Sequence, residues 1–310
     1  MTRSPEPAVY DVLDERFVDL IAPSGELEHL ADGCAWAEGP VYVPAEAAVY
    51  WSDVRNDRLL RFDEATDLVT EVERPANFCN GHTLDNDGVI VACEHGTRSV
   101  VRWWPVDGGG GRRETIADSF GGKRLNSPND VVVASDGSVW FTDPTYGIDS
   151  NAEGYAAESE IGSSNVYRVD PSSGEVSAQV TDMVRPNGLA FSPDESKLFV
   201  SDTGVSHVEG GPRHIRVFDV DLAVGEVTDG GAVFATCPAG VFDGFRLDAD
   251  GRLWASGEQG VHCYDPDGVL LGTIRLPETC ANLEFAGPNL YMTATSSLYR
   301  VRLSVRLTRR

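Results

Sequence analysis

The chain has 310 residues, more than one globular core usually contains, although repeat and barrel folds often reach this length as a single domain. Hydrophobic residues make up 41% and charged residues 24% of the chain, a globular composition that excludes a disordered protein. Lys and Arg total 25 against 49 Asp and Glu, and the resulting net charge of −24 repels phosphate backbones, so a nucleic-acid partner is excluded.

Targeting signals and cysteine pairs are both missing from the sequence. No apolar run approaches the roughly 18 residues that cross a bilayer, and the first residues lack the apolar core of a signal peptide. We therefore expect a cytoplasmic protein without a membrane partner. The six cysteines are scattered with no Cys-x-x-Cys pair, which predicts reduced, buried thiols and no cysteine-based zinc site.

In chain order, one pattern recurs six times: a short apolar strand, a turn rich in Asp, Gly or Pro, and a second strand with aromatic and β-branched residues. The copies are EGPVYVPAEAAVYWSD (38–53), NGHTLDNDGVIVACEHG (80–96), NDVVVASDGSVWFTD (129–143), NGLAFSPDESKLFVSD (187–202), DGFRLDADGRLWASGE (243–258) and NLEFAGPNLYMTATS (282–296). A third strand such as NVYRVDPSSG usually follows, and the copies begin 39 to 58 residues apart. This spacing is typical of propeller blades, so the sequence predicts an all-β, six-bladed β-propeller with four-stranded blades.

The two ends of the chain are expected to complete the ring. Few residues follow the last copy, which leaves the sixth blade without an outer strand. The N-terminal segment GELEHLADG (25–33) can supply that strand and remove an exposed sheet edge. Residues 1–20 are then expected to form an N-terminal arm, and residues 21–310 a single propeller domain.

The residue that opens each copy carries a side-chain oxygen. These residues are Glu38, Asn80, Asn129, Asn187, Asp243 and Asn282. Because the innermost strands of a propeller line its channel, we expect the six side chains to surround one axis. Asn and Asp also suit turns that enter strands, but that preference does not explain Glu38. Two buried carboxylates need a counter-charge, and oxygen ligands favour calcium or magnesium over a structural zinc.

Four segments carry a resemblance to a known family. The runs AEGPVY, RLNSPNDVVVASDGSVWFTDPTYGI, RPNGLAFSPDESKLFVSD and FDGFRLDADGRLWAS resemble, in this order, motifs of the SMP-30/gluconolactonase/luciferin-regenerating-enzyme family. The similarity extends from about Gly25 to about Leu303. It implies a six-bladed propeller that holds a divalent metal at the top of its channel and usually hydrolyses lactones.

The resemblance also implies a ligand set. The metal ligands would be Glu38 in EGP, Asn187 in PNGL and Asp243 in FDG, while Asn129 in SPND is a ligand or a substrate contact depending on the member. The two remaining ring positions are expected to line the channel. One divalent cation is expected, Ca²⁺ before all others, with Mg²⁺, Mn²⁺, Zn²⁺ and Fe²⁺ left open.

Further residues are candidates for substrate binding. Relatives more often carry an apolar residue at the position of His82, which here either shapes the pocket or fills a gap beside the channel. Ser127 replaces an Arg that some members use for substrate, and the nearby Arg124 is a substitute. The ends of second strands supply the remaining candidates, which are Glu94, His95, Asp143 and Tyr146. The insertion 148–164 is expected to form a lid near the entrance.

These residues predict a metal-dependent lactonase. A divalent ion can hold the carbonyl oxygen of a lactone as it gains charge, and Asp243 is the candidate base because the metal keeps it ionised beside bound water. A metal-bound hydroxide, with Asp243 only a ligand, is the alternative. We expect an aldonolactone substrate such as a gluconolactone or pentonolactone, and a monomer or small homo-oligomer. An esterase or phosphotriesterase of the same fold and a non-enzymatic binding propeller are the alternatives.

Overall fold

A computed structural model of the chain describes residues 9–23, 25–106 and 109–304. Nearly all regular structure in these ranges is β, and it forms six antiparallel blades. The predicted six-bladed β-propeller is therefore confirmed. None of the helices in the described ranges is long and apolar enough to cross a membrane.

The first half of the chain contains two strands that join later blades, followed by blades one to three. The first two strands are β1 (Tyr10–Val12) and β2 (Glu28–Ala31). Blade one consists of β3 (Ala37–Val43), β4 (Ala48–Asp53), β5 (Arg58–Asp63) and β6 (Leu68–Glu73). Blade two consists of β7 (Cys79–Leu84), β8 (Ile90–Glu94), β9 (Ser99–Pro105) and β10 (Gly111–Ala117). After a hairpin of β11 (Ser119–Phe120) and β12 (Lys123–Arg124), blade three consists of β13 (Val131–Val133), β14 (Val139–Asp143), β15 (Asn165–Val169) and β16 (Val176–Val180).

The second half contains blades four to six. Blade four consists of β17 (Pro186–Phe191), β18 (Lys197–Asp202), β19 (His214–Asp221), β20 (Glu226–Val227) and β21 (Ala232–Thr236). Blade five consists of β22 (Phe245–Leu247), β23 (Leu253–Gly257), β24 (Gly260–Tyr264) and β25 (Leu270–Arg275). Blade six consists of β26 (Cys280–Ala286), β27 (Asn289–Ala294) and β28 (Ser297–Arg302). The helices are short: α1 (Tyr146–Asp149) and the 3-10 turns Glu15–Leu20, Pro44–Glu46, Val54–Asn56 and Gly204–Ser206.

Hydrogen-bonded Asp-Gly turns join the first and second strands of several blades. In blade two, the Asp85 carboxylate accepts from the backbone N–H groups of Asp87 and Val89 at 3.0 and 2.9 Å. Gly88 in the same turn has a φ of 80°, in the left-handed region that favours glycine. Asp248 makes equivalent bonds in blade five. The repeated Asp and Gly of the sequence therefore reflect the chemistry of a repeated turn.

The hydrophobic core is divided among the interfaces between neighbouring blades. Between blades one and two, the rings of Tyr50 and Trp103 meet edge to face with their centroids 5.9 Å apart. Between blades six and one, Phe62 packs against Tyr291 at 6.1 Å. Comparable clusters fill the other four interfaces. Each blade is thus stabilised mainly by its two neighbours, because both of its faces are buried against them.

The first two strands are added to the last two blades. Strand β2 pairs antiparallel with β28, and β1 pairs antiparallel with β25 as a fifth strand of blade five. The described part of the predicted N-terminal arm therefore packs on the propeller. Phe17, which follows β1, is 0% exposed and lies 6.1 Å from the ring of Trp254. It also fills the space above Gly272, where a Cβ atom would lie 2.3 Å from the Phe17 ring.

We predict that the arm contributes to the stability of blade five. Phe17→Ala is expected to lower the free energy of unfolding by about 3–5 kcal/mol, the usual cost of emptying a buried aromatic site. The neighbouring Val18 is 56% exposed, so Val18→Ala should change it by less than about 0.5 kcal/mol. Denaturant unfolding of both variants measures the difference. Equal effects would show that the arm is not part of the core.

Candidate active site

A cavity of about 560 Å³ lies over the starts of the inner strands. Five residues at these strand starts line it, one from each of blades one to five: Glu38, Asn80, Asn129, Asn187 and Asp243. The four residues predicted as metal ligands are therefore brought together in one cavity. Loops at the same end of the propeller supply the rest of the wall.

Very close packing of the inner strands fixes the ring of cavity-lining residues. The Gly81 N–H donates to the carbonyl of Asn129 at 2.8 Å, and the Gly188 N–H donates to that of Asp243 at 3.2 Å. A Cβ atom on Gly188 would lie 2.3 Å from the same carbonyl oxygen, closer than any side chain allows. The glycine that follows the ring residue in these blades is thus required by the approach of the next blade.

In blade six the ring position belongs to Ala281, which corrects the sequence comparison. The Gly244 N–H donates to the carbonyl of Ala281 at 2.7 Å, the same bond that links blade two to three and blade four to five. Asn282, assigned to the ring from the sequence, lies one residue further along β26. The sixth copy lacks the pair of ring residue and glycine, so its Asn was aligned one residue late. The ring therefore carries five oxygen-bearing side chains instead of six.

Below the ring, the side chain of Arg246 spans the channel. This residue of blade five lies 3.8 Å from the carboxylate of Asp130 in blade three and donates to Glu284 of blade six at 3.1 Å. It also reaches the carbonyl of His82 in blade two, at 3.5 Å. The Arg246 side chain has partners on three other blades, which it can reach only by extending across the axis of the channel. Arg246 was not predicted from the sequence, although a charged residue inside an apolar inner strand is a visible signal.

The two ring carboxylates are held in an environment that disfavours their charge. Burial, and after it the charge of Asp243, holds the pKa of Glu38 well above its usual range. Burial also raises the pKa of Asp243 to about 7, and the charges of Asp130 and Glu153 add to this shift. The Asp243 carboxyl hydrogen-bonds with the side chains of Glu38 and Asn187, which opposes the shift only in part.

The donor chemistry of the ring suits a hard divalent cation. Two carboxylates whose charge is uncompensated lie beside the amide groups of Asn129 and Asn187. Within the described residues no three His, Cys, Asp or Glu side chains cluster, so the set depends on amide oxygens to reach four donors. An all-oxygen set of this kind matches calcium or magnesium better than a thiophilic metal.

The predicted lid and Tyr146 both take part in the cavity wall. The Tyr146 hydroxyl is 2.5 Å from Thr203 Oγ1, and the guanidinium of Arg185 lies 4.9 Å from the centre of its ring. The insertion 148–164 contributes four residues to the lining, which are Asp149, Ser150, Ala152 and Glu153. Within the insertion, the Ala157 N–H donates to the carbonyl of Ile148 at 3.0 Å and brings these two parts of the segment together.

Asp143 anchors a loop instead of lining the cavity. Its carboxylate accepts from the backbone N–H groups of Asn126 and Ser127 at 2.8 and 2.9 Å, while burial raises its pKa to about 7. These bonds hold the loop that leads to the ring residue of blade three. Asp53 and Asp202 make the same kind of bonds in blades one and four. The recurring Asp at the end of the second strand is therefore a structural device.

The two predicted histidines lie behind the ring. His82 is 0% exposed, its Nδ1 is 2.7 Å from the carbonyl oxygen of Gly39, and burial lowers its pKa to about 4. It fills the space beside the channel, one of the two roles expected for it. His95 is also buried and contacts Asn80 from outside the cavity.

Glu94 and Arg124 are also placed outside the cavity wall. The Glu94 carboxylate is buried and paired with Arg113, and it accepts from the Thr97 hydroxyl at 2.7 Å. Arg124 is exposed on the hairpin of β11 and β12, where its guanidinium donates to the carbonyl of Thr97 and its N–H to Glu160. Their expected contact with substrate stays a prediction.

Part of the wall was not foreseen from the sequence. Arg55 donates to the carboxylate of Glu153 at 2.8 Å, and its guanidinium lies 5.0 Å from the centre of the Trp36 ring. All three residues line the cavity. The ion pair joins positions 98 residues apart in different blades, so no local pattern could have indicated it.

Comparisons with known proteins show the family of the chain. Residues 36–296 match the family described as "SMP-30/Gluconolactonase/LRE-like region". The chain is 30% identical to a gluconolactonase of Zymomonas mobilis, across 91% of this chain and 83% of that protein. It is 28% identical to the pentonolactonase XacC of Haloferax volcanii, across 83% and 79%. The solved structure of a gluconolactonase from Xanthomonas campestris superposes with a TM-score of 0.86 at 35% identity, covering 96% of each chain.

We predict that the ring carboxylates destabilise the cation-free fold. The pKa of Asp243 is raised in the folded protein, so its ionisation opposes folding. This destabilisation is fully present above about pH 7 and absent below about pH 4, where the group is neutral in both the folded and the unfolded state. In chelator at pH 8, Asp243→Asn is expected to raise the free energy of unfolding by roughly 1–2 kcal/mol. The gain should shrink as the pH falls toward 4. Denaturant unfolding measures it.

Excess calcium chloride should reverse this order, since the wild type gains binding energy that the variant loses. Asp267→Asn, at an exposed turn between β24 and β25, is the matched control and should behave as the wild type in both conditions. An Asp243→Asn protein that is less stable than the wild type in chelator would contradict the prediction.

Proposed function

The chain belongs to the SMP-30/gluconolactonase/LRE-like family, and we propose that it hydrolyses a sugar lactone to the aldonic acid with one divalent cation at the ring. Like the relatives described above, it is a hydrolase of lactone esters. The observation that carries the proposal is the convergence of two carboxylates and two amides at the floor of one cavity.

Glu38, Asn129, Asn187 and Asp243 are the residues that would hold the cation, and Ca²⁺ is our first choice because every donor is an oxygen. When bound, the cation polarises the lactone carbonyl and compensates the charge that develops on its oxygen. Glu38 and Asn187 hydrogen-bond with Asp243 and hold its carboxyl over the floor of the cavity.

Asp243 is the proposed base. Its carboxylate oxygen takes a proton from the attacking water, whose oxygen forms a bond to the carbonyl carbon. The ring C–O bond then breaks, and the proton held by Asp243 passes to the departing ring oxygen, which becomes a hydroxyl of the acid. Asp243 would be kept ionised by the bound cation, as a base must be before it takes the proton.

The wall of the cavity supports a polyhydroxylated substrate over a hydrophobic ester. The wall includes the hydroxyl and charged side chains of Thr203, Ser206, Arg55 and Glu153, and Trp36 adds one aromatic face. Each polar group can exchange a hydrogen bond with a sugar hydroxyl. A phosphotriester has no hydroxyl donor to offer the acceptor atoms among them.

The test is hydrolysis of aldonolactones by protein that has been stripped of metal and resupplied with one divalent ion at a time. We expect stripped protein to be inactive and Ca²⁺ to restore activity on gluconolactone or a pentonolactone. Asp243→Asn and Glu38→Gln should each reduce kcat/KM roughly 10²–10⁴-fold, the range for loss of a general base or a cation site. A pH-stat that follows acid release gives the rates.

Asp267→Asn again serves as the control and should retain the activity of the wild type. Full activity in chelator would overturn the role of the cation. Hydrolysis of simple esters or phosphotriesters, with none of aldonolactones, would overturn the proposed substrate class instead.

A further inference from the structure

Asn80 is the one polar ring residue that the proposed cation site does not use. It opens the inner strand of blade two, lines the cavity and is 5% exposed. Its neighbours in ring order are Glu38 and Asn129. The amide nitrogen of Asn80 lies 3.3 Å from Nε2 of His95, behind the cavity wall. One end of this amide therefore faces a buried histidine, and the other faces the cavity.

The surroundings of His95 decide which ring nitrogen carries the proton. His95 is 1% exposed, and its Nδ1 lies 2.9 Å from the backbone carbonyl oxygen of Glu153. A carbonyl oxygen only accepts hydrogen bonds, so Nδ1 must carry hydrogen. Burial lowers the pKa of His95, which keeps the imidazole neutral with a single ring proton. Nε2 is then an acceptor.

The orientation of the Asn80 amide follows from this tautomer. An acceptor at Nε2 needs a donor opposite, and only the NH₂ group of the amide can donate. The Oδ1 atom must then point away from His95, toward the cavity. The position of His95 is itself fixed, because a Cβ atom on Gly147 would lie 2.5 Å from the His95 Cβ. The tight contact leaves the imidazole no room on that side.

We infer that Asn80 is a specificity-determining residue whose Oδ1 accepts a hydrogen bond from a ring hydroxyl of the lactone, and that His95 is the positioning residue that holds it in this orientation. The inference rests on the proposed lactonase function for the identity of the donor. It adds a residue that recognises the hydroxyl pattern of the substrate, next to those that act on its carbonyl.

The same chain of contacts extends to the predicted lid. The carbonyl that fixes His95 belongs to Glu153, whose carboxylate pairs with Arg55 across the cavity. The position of the insertion 148–164 and the orientation of the Asn80 amide are therefore linked through Glu153 and His95. Arg55 lies on blade one, His95 on blade two and Glu153 on the insertion of blade three. Recognition of one hydroxyl thus depends on three neighbouring blades.

The orientation can be tested without any assay of activity. NMR spectra of protein with ¹⁵N-labelled histidine distinguish the two neutral tautomers and the imidazolium, and the signals that vanish in His95→Gln belong to His95. We expect the Nδ1–H tautomer with a bare Nε2 at neutral pH. An Nε2–H tautomer or a doubly protonated ring would overturn the inference, because Oδ1 would then face His95.

Kinetics test the recognition of the hydroxyl. We compare gluconolactone with δ-valerolactone, which has no ring hydroxyls. For Asn80→Ala, the ratio of kcat/KM for gluconolactone to that for δ-valerolactone should fall roughly 3- to 10-fold, the range of one neutral hydrogen bond. The loss should appear as a raised KM with little change in kcat, as expected for contact with a group remote from the carbonyl.

Two substitutions at His95 separate positioning from packing. His95→Gln can place an acceptor oxygen where Nε2 was and should keep most of the preference for gluconolactone. His95→Phe retains the bulk but offers no acceptor, so it should lower the same ratio in the direction of Asn80→Ala. Thermal unfolding of each variant confirms that it folds. Equal ratios for the two His95 variants would overturn the positioning role.

The outcomes also separate this inference from the proposed function. A wild type that hydrolyses neither these lactones nor any other aldonolactone refutes the proposed function and the hydroxyl contact together, whereas the tautomer result still decides the amide orientation. A wild type that hydrolyses both lactones, with an Asn80→Ala ratio unchanged, refutes the hydroxyl contact alone.

Discussion

The burial of two carboxylates in one confined cavity governs the functional end of this propeller. Glu38 and Asp243 come from different blades, yet their carboxyl groups are near enough to hydrogen-bond, and burial raises the pKa of both. The neighbouring ring residues are neutral amides, so the chain itself supplies little compensation at this level. The nearest positive charge in the channel is Arg246, which lies below the ring and faces Asp130 and Glu284. The proposed cation would supply the positive charge that this site lacks.

The close approach of the inner strands produces both layers of the channel. Where a glycine follows the ring residue, the next blade's carbonyl occupies the space of a side chain. Blades three and six have Asp130 and Asn282 at this place, and their side chains fill the room left by Gly81 and Gly244. Arg246 then closes the axis beneath them. This packed lower layer closes the channel, and the cavity above it, at the level of the ring residues, stays open to ligand.

Local patterns predicted the fold and most of the ring. The four short strands per repeat, the Asp-Gly turns and the pairs EG, NG and DG are features of neighbouring residues, and each has a local physical cause. The sixth ring position was missed because Ala281 carries neither the side-chain oxygen nor the following glycine. Asp143, predicted as a substrate contact, holds a backbone loop; in sequence, a carboxylate at a strand end looks the same in either role.

By itself, the sequence determined the repeat, the propeller and the two carboxylates of the ring, because strand alternation and turn chemistry depend on residues close together in the chain. Only the tertiary structure decided which loops meet over the cavity, that Arg55 pairs with Glu153, and that His95 stands behind Asn80. These contacts join different blades. Their geometry depends on how six sheets pack around one axis, and no local pattern encodes that packing.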